Sequence, residues 1–82
     1  MDKSIYTREY AMLLRLLRES REAAGVTQVQ LAKKLRQSQS FVSKIERGDR
    51  RLDLVQLRTI CRVLGVELLD FVRRCDQGVS KP

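Results

Sequence analysis

The stretch from Gln28 to Glu46 constrains this chain more than any other. Thr27 is a good helix N-cap, and Gln30, at the third helical position, completes a capping-box arrangement. Leu31, Ala32 and Leu35 then fall on one helical face. The pattern breaks at Arg36 and Gln37, and Ser38 offers a second N-cap. Val42 and Ile45 mark the inner face of the helix that follows. The spacing predicts two short helices joined by a tight turn. The outer face of the second carries Gln39, Ser40, Ser43 and Lys44. These are short or basic hydrogen-bonding groups, of the kind that read base edges in a DNA major groove.

Two helices of this size cannot bury themselves, so the rest of the chain must supply a core. A chain of 82 residues with 43% hydrophobic residues fits one small domain. No segment alternates apolar and polar residues as a half-buried strand would, which points to an all-α fold. The formal net charge is +7, and seven Lys or Arg lie from Lys33 to Arg51 against only Glu46 and Asp49. That basic excess surrounds the predicted reading helix, the electrostatic footprint of a polyanionic partner.

The composition also excludes function classes. The start, Met1 to Ser4, leads into an amphipathic helix rather than an apolar signal core, and the longest purely apolar run, Ala11 to Leu14, is far too short to span a bilayer. The chain is expected to be cytoplasmic, with no membrane partner. It has no His, and Cys61 and Cys75 lack metal-ligand spacing, so neither a metal nor a cofactor is expected. Cys61, between Ile60 and Leu64 on a core stripe, reads as a buried reduced thiol. No carboxylate pair, nucleophile–base set or glycine-rich phosphate loop suggests an enzyme or a small-molecule ligand.

Along the chain, Thr7 can cap a first helix running to about Ala24, with Tyr10, Leu13, Leu17, Arg21 and Ala24 on one stripe and Gly25 as its stop. Gly48 stops the third helix, and Asp49, Arg50 and Arg51 form a basic loop. Asp53 caps a fourth helix, Leu54 to Leu64, with Leu57, Ile60, Cys61 and Leu64 inward. A fifth helix is predicted from about Glu67 to Cys75. One domain over 6–76 is expected, with flexible ends at 1–5 and 77–82.

The segment TQVQLAKKLRQSQSFVSKIERG resembles the helix-turn-helix of the phage repressor and Cro family, the XRE-like DNA-binding domains. RESREAAGVTQ before it and GDRRLDLVQLRTICRVLGV after it extend the resemblance over roughly Leu13 to Phe71. The chain resembles the short stand-alone members, including the controllers of restriction–modification systems. The resemblance implies a five-helix domain of the lambda-repressor type that binds operator DNA as a homodimer.

It also implies roles for particular side chains. Gln39 would read adenine through its amide, with Ser40, Ser43 and Lys44 near the other base-contacting positions. Lys44 would donate to a guanine or contact phosphate. Gln28 would contact a phosphate and brace Gln39. Arg21 and Glu46 resemble a partly buried ion pair between the first and third helices, and Arg21 has a phosphate as a second possible partner. Arg47, Arg50 and Arg51 read as backbone clamps, with Thr27, Arg36 and Phe41 as further backbone contacts. Phe41 would either pack on a thymine methyl or sugar edge or turn inward, and partial burial is favoured because large apolar groups gain about 2 kcal/mol on leaving water. Arg36 stands where the family usually has Gly in the turn. Either it accepts a left-handed backbone, at a cost on the order of 1 kcal/mol, or the turn differs.

The fifth helix carries Leu68, Leu69, Phe71 and Val72 on more than one face, which makes it the expected dimer interface. Leu69 and Val72 would meet their symmetry mates and leave Leu68 and Phe71 for the core, or the reverse; Leu14 and Leu16 on the first helix are the alternative surface. A rival reading uses the same fold as a protein-interaction module, an antitoxin or adaptor, with these apolar residues as its handle.

Overall fold

Local hydrogen bonding starts three of the five helices. The structure, a computed structural model, describes the backbone of residues 4–80 and the side chains of residues 8–78. Its elements are α1 (Ser4–Ala23), α2 (Gln28–Leu35), α3 (Gln39–Arg47), α4 (Leu54–Leu64) and α5 (Leu68–Ser80), with no strand among the described residues. The fold is all-α, as the sequence predicts. Thr27 Oγ1 accepts from the Gln30 N–H at 3.1 Å while Gln30 Oε1 accepts from the Thr27 N–H at 2.9 Å, closing the expected capping box. The Ser38 hydroxyl accepts from the Phe41 N–H at 3.1 Å at the head of α3. Asp53 and Gln56 build a second capping box at the head of α4. Each cap satisfies backbone donors that a helix start otherwise leaves bare.

The core takes one stripe from each helix. Leu17 of α1, Leu31 and Ala32 of α2, Val42 and Ile45 of α3, Leu57, Ile60, Cys61 and Leu64 of α4, and Phe71 of α5 are all buried. Helix α1 packs on α3 and α5, α2 packs on α3 and α4, and α4 packs on α5. Burial pushes the Cys61 thiol above its usual pKa, with Cys75 adding to the shift, and burial also raises Cys75 against the lowering effect of Arg74. Both cysteines are free, so they sit as protonated thiols against the core. Among the described residues no helix is long and apolar enough to cross a membrane.

Several boundaries differ from the sequence expectation. Thr7 lies inside α1, which begins at Ser4, and so is not its N-cap. Ala24 lies beyond α1 and is exposed rather than part of the inward stripe. Helix α5 runs on to Ser80 instead of ending near Cys75. Gly78 lies inside this extension, where a Cβ would stand 2.9 Å from the Met12 sulfur, so its missing side chain lets α5 lie close on α1. The chain is thus helical at 4–5 and 77–80, where loose ends were expected; residues 1–3 and 81–82 lie outside the described ones. Leu14 and Leu16, expected to be spare, are partly buried against the core.

The turn at 36–38 keeps a left-handed residue without glycine. Arg36 has φ 58° and ψ 41°, and its N–H still closes back on the carbonyls of Ala32 and Lys33. The αL conformation required there is therefore accepted at its steric cost, and the turn is not altered.

A buried ion pair joins α1 to α3. Arg21 Nε donates to Glu46 Oε2 at 2.7 Å and Nη2 donates to Glu46 Oε1 at 3.2 Å, with the side chains 10% and 6% exposed. Arg21 Nη1 donates to the Val26 carbonyl at 2.8 Å, so one guanidinium also ties down the loop between α1 and α2. Removing one partner of such a pair strands a buried charge, whereas replacing both with apolar groups of similar volume does not. Glu46→Ala is expected to lower the unfolding free energy by about 3 kcal/mol in a denaturant titration. Arg21→Met combined with Glu46→Leu should recover much of that loss. A double variant no more stable than Glu46→Ala alone would contradict the paired geometry.

Candidate nucleic-acid interface

Side chains of two elements are tied together at the head of α3. Glu46 Oε1 accepts from Gln28 Nε2 at 3.0 Å as well as from Arg21. Gln28 Oε1 in turn accepts from Gln39 Nε2 at 3.3 Å. A continuous run of hydrogen bonds therefore leads from the buried guanidinium of Arg21 to the exposed amide of Gln39. The bracing of Gln39 by Gln28 is present as expected. The bond from Gln28 to Glu46 is additional, and nothing in the spacing of the two residues announces it.

The outward face of α3 is polar. Gln39, Ser40 and Lys44 are exposed and Ser43 is half-buried, all on the helix whose opposite face buries Val42 and Ile45. The face offers an amide with donor and acceptor, two hydroxyls and an ammonium, a set suited to the edges of bases. Around it stand exposed cations: Arg36 in the turn, Arg47 at the end of α3, and Arg50 and Arg51 in the loop to α4. Arg47 Nε pairs with Asp49 Oδ2 at 3.1 Å on the open surface, a contact of small energetic weight that a phosphate can displace. Thr27 is exposed, but its hydroxyl is engaged in the capping box.

One expectation for this face changes, and the partial burial favoured for Phe41 is found. Arg21 directs its guanidinium to Glu46 and Val26 and is buried, so it does not reach a phosphate. Phe41 is half-buried against the core beside Leu35, Val55 and Ile60, and the Arg50 guanidinium lies over its ring, 4.8 Å from the centroid. Sequence reasoning placed Tyr10 only on the inner stripe of α1. In the fold its hydroxyl accepts from the Leu52 N–H at 3.2 Å, and Arg51 lies over its ring at 5.1 Å. No local pattern signals a contact between residues some forty positions apart, so this bracing was not readable from the sequence.

The apolar residues of α5 divide between two faces. Phe71 is 1% exposed and belongs to the core, and Leu68 is partly buried against it. Neither is open to a partner as Leu69 and Val72 are, at 69% and 43% exposure. Arg58, Arg62, Arg73 and Arg74 are exposed. Among the described residues no group of three or more His, Cys, Asp or Glu side chains comes together to hold a metal ion.

Comparison with known proteins bears on this geometry directly. The helix-turn-helix family model matches residues 17–71. The fold is similar to that of an XRE-family-like protein from Pseudomonas syringae pv. tomato, at 39% identity and a TM-score of 0.87, covering 96% of this chain and 95% of that one. It is also similar to a variant of the restriction-modification controller protein C.Esp1396I, at 26% identity and a TM-score of 0.81, over 89% of this chain and 97% of that one. The clp gene regulator ClgR from C. glutamicum follows at 27% identity and a TM-score of 0.78, over 90% and 96% of the two chains. A search of curated proteins gave no match. With its capped helix pair, its polar α3 face and these relatives, the chain belongs to the XRE-like helix-turn-helix family of DNA-binding transcription regulators.

Proposed function

We propose that this regulator binds a pseudo-palindromic operator as a homodimer, with α3 of each subunit in a major groove. The observation that carries the reading is the run from Glu46 through Gln28 to Gln39, which ends on an exposed amide held at the head of α3. An amide fixed in this way loses little freedom when it meets the N6 and N7 of an adenine. Ser40, Ser43 and Lys44 supply the other base contacts. Gln28 and Thr27 face the phosphate backbone where α2 begins, and the free N–H groups of that helix end favour the same anion. Arg36, Arg47, Arg50 and Arg51 add phosphate contacts that give affinity without sequence information. The protein works in the cytoplasm, where its operator lies.

The size of the domain supports a homodimer. One such domain reads only a few base pairs, and its specific affinity is too low to pick one site from a genome. Two-fold pairing sets two reading helices about one duplex turn apart. The exposure of Leu69 and Val72 supports α5 as the joining surface, because exposed apolar residues on a small domain mark interaction sites when they cluster. The partial burial of Leu14 and Leu16 argues against the first helix in that role and removes part of the handle that a protein-interaction module would use.

Two sets of variants test the reading. Gln39→Ala should relax selectivity at one position of each half-site by about 1–3 kcal/mol. Arg51→Ala should weaken binding to all sequences alike and flatten the dependence of log K on log salt by about one unit. The same uniform loss in both variants would remove the base-reading role from Gln39. Leu69→Asp with Val72→Asp should give a folded monomer with much weaker operator binding. Sedimentation of that variant as an intact dimer would place the interface elsewhere.

A further inference from the structure

We propose that Phe41 and Tyr10 are positioning residues, whose rings hold the Arg50 and Arg51 guanidinium groups poised to grip the DNA backbone. The inference deepens the proposed function and rests on its reading of these arginines as phosphate contacts.

The loop between α3 and α4 has little regular structure to order it. Residues 51–53 carry no helix, and Gly48 takes a left-handed φ of 83° to end α3. An arginine on such a loop has many rotamers, and fixing it on a ligand costs binding free energy. Here each arginine already has an aromatic platform from a different helix. Arg50 lies over Phe41 of α3 at 4.8 Å, and Arg51 lies over Tyr10 of α1 at 5.1 Å. Both distances fall within the roughly 6 Å over which a cation is drawn to a ring face.

The platforms are themselves fixed. Phe41 is packed against the core, and Tyr10 is half-buried. The Tyr10 hydroxyl also accepts from the Leu52 N–H at 3.2 Å, which pins the backbone one residue beyond Arg51. A guanidinium attracted through its flat face keeps its N–H donors in the plane, the geometry that a phosphate oxygen pair accepts. Stacking and phosphate binding are therefore compatible. Phe41 thus gains a role that direct contact with a thymine or sugar does not describe.

Two double-mutant cycles test this, on a duplex recovered by the protein from a random-sequence pool. One pairs Phe41→Leu with Arg50→Ala, and the other pairs Tyr10→Leu with Arg51→Ala. Each aromatic replacement should weaken binding about two- to fivefold when its arginine is present, the size expected of an exposed cation–π contact. It should have no effect once that arginine is gone. Tyr10→Phe, which keeps the ring, should retain most of the affinity. A purely structural role would give the same loss in both backgrounds, and additivity in either cycle would remove that pair from the proposal. Thermal melts confirm that each variant is folded at the assay temperature, and if Tyr10→Leu is not, the Phe41 cycle decides alone. If Arg50→Ala and Arg51→Ala themselves bind as the parent does, with an unchanged salt dependence, the clamp reading fails instead, a result distinct from additivity.

Discussion

The buried pair of Arg21 and Glu46 is the interaction on which the rest of this structure depends. Taking two charges out of water is costly, and the cost is met only when both are well bonded. Here the carboxylate accepts from Arg21 on both oxygens and from Gln28 on one, while the guanidinium also reaches the Val26 carbonyl. One contact therefore joins α1, α3, the start of α2 and the loop before it. A pair of this kind contributes little net stability over well-packed apolar groups, but losing one partner strands the other charge. In this molecule the geometry of the pair sets the angle at which α3 is presented and, through Gln28, where the Gln39 amide stands.

The surface divides in a way that matches this frame. Polar and basic groups gather on α3, the turn before it and the loop after it, and the open apolar side chains of α5 lie on a helix that packs on α1 and α4. The fold is similar over most of the chain to a restriction-modification controller and to a gene regulator. At 26% and 27% identity the likeness shows the family frame more than the identity of individual contacts. The side chains of this chain's own α3 face therefore bear the argument about what it reads.

The parts of the fold that were legible in the sequence are those governed by neighbours along the chain. Thr27 with Gln30, Ser38 and Asp53 cap helices through bonds that span three residues, and Leu57, Ile60, Cys61 and Leu64 share a face because of helical periodicity alone. The Arg21–Glu46 pair and the Gln28–Gln39 brace were anticipated through the family resemblance, not through spacing. The ends of α1 and α5 differ from the sequence expectation. Helix α5 runs on through Gly78, where the missing side chain leaves room for Met12 of α1, a contact between distant parts of the chain. The placement of Arg51 over Tyr10 and of Arg50 over Phe41 depends on where α1, α3 and the loop meet, which no local pattern encodes.

The central claim, that α3 reads bases as one of a symmetric pair, is tested most directly by selecting bound duplexes from a random pool and sequencing them. Enrichment of a pseudo-palindrome with half-sites centred about one helical turn, roughly 10 base pairs, apart is expected. Recovery of a single asymmetric half-site, or of no enriched sequence at all, would contradict it.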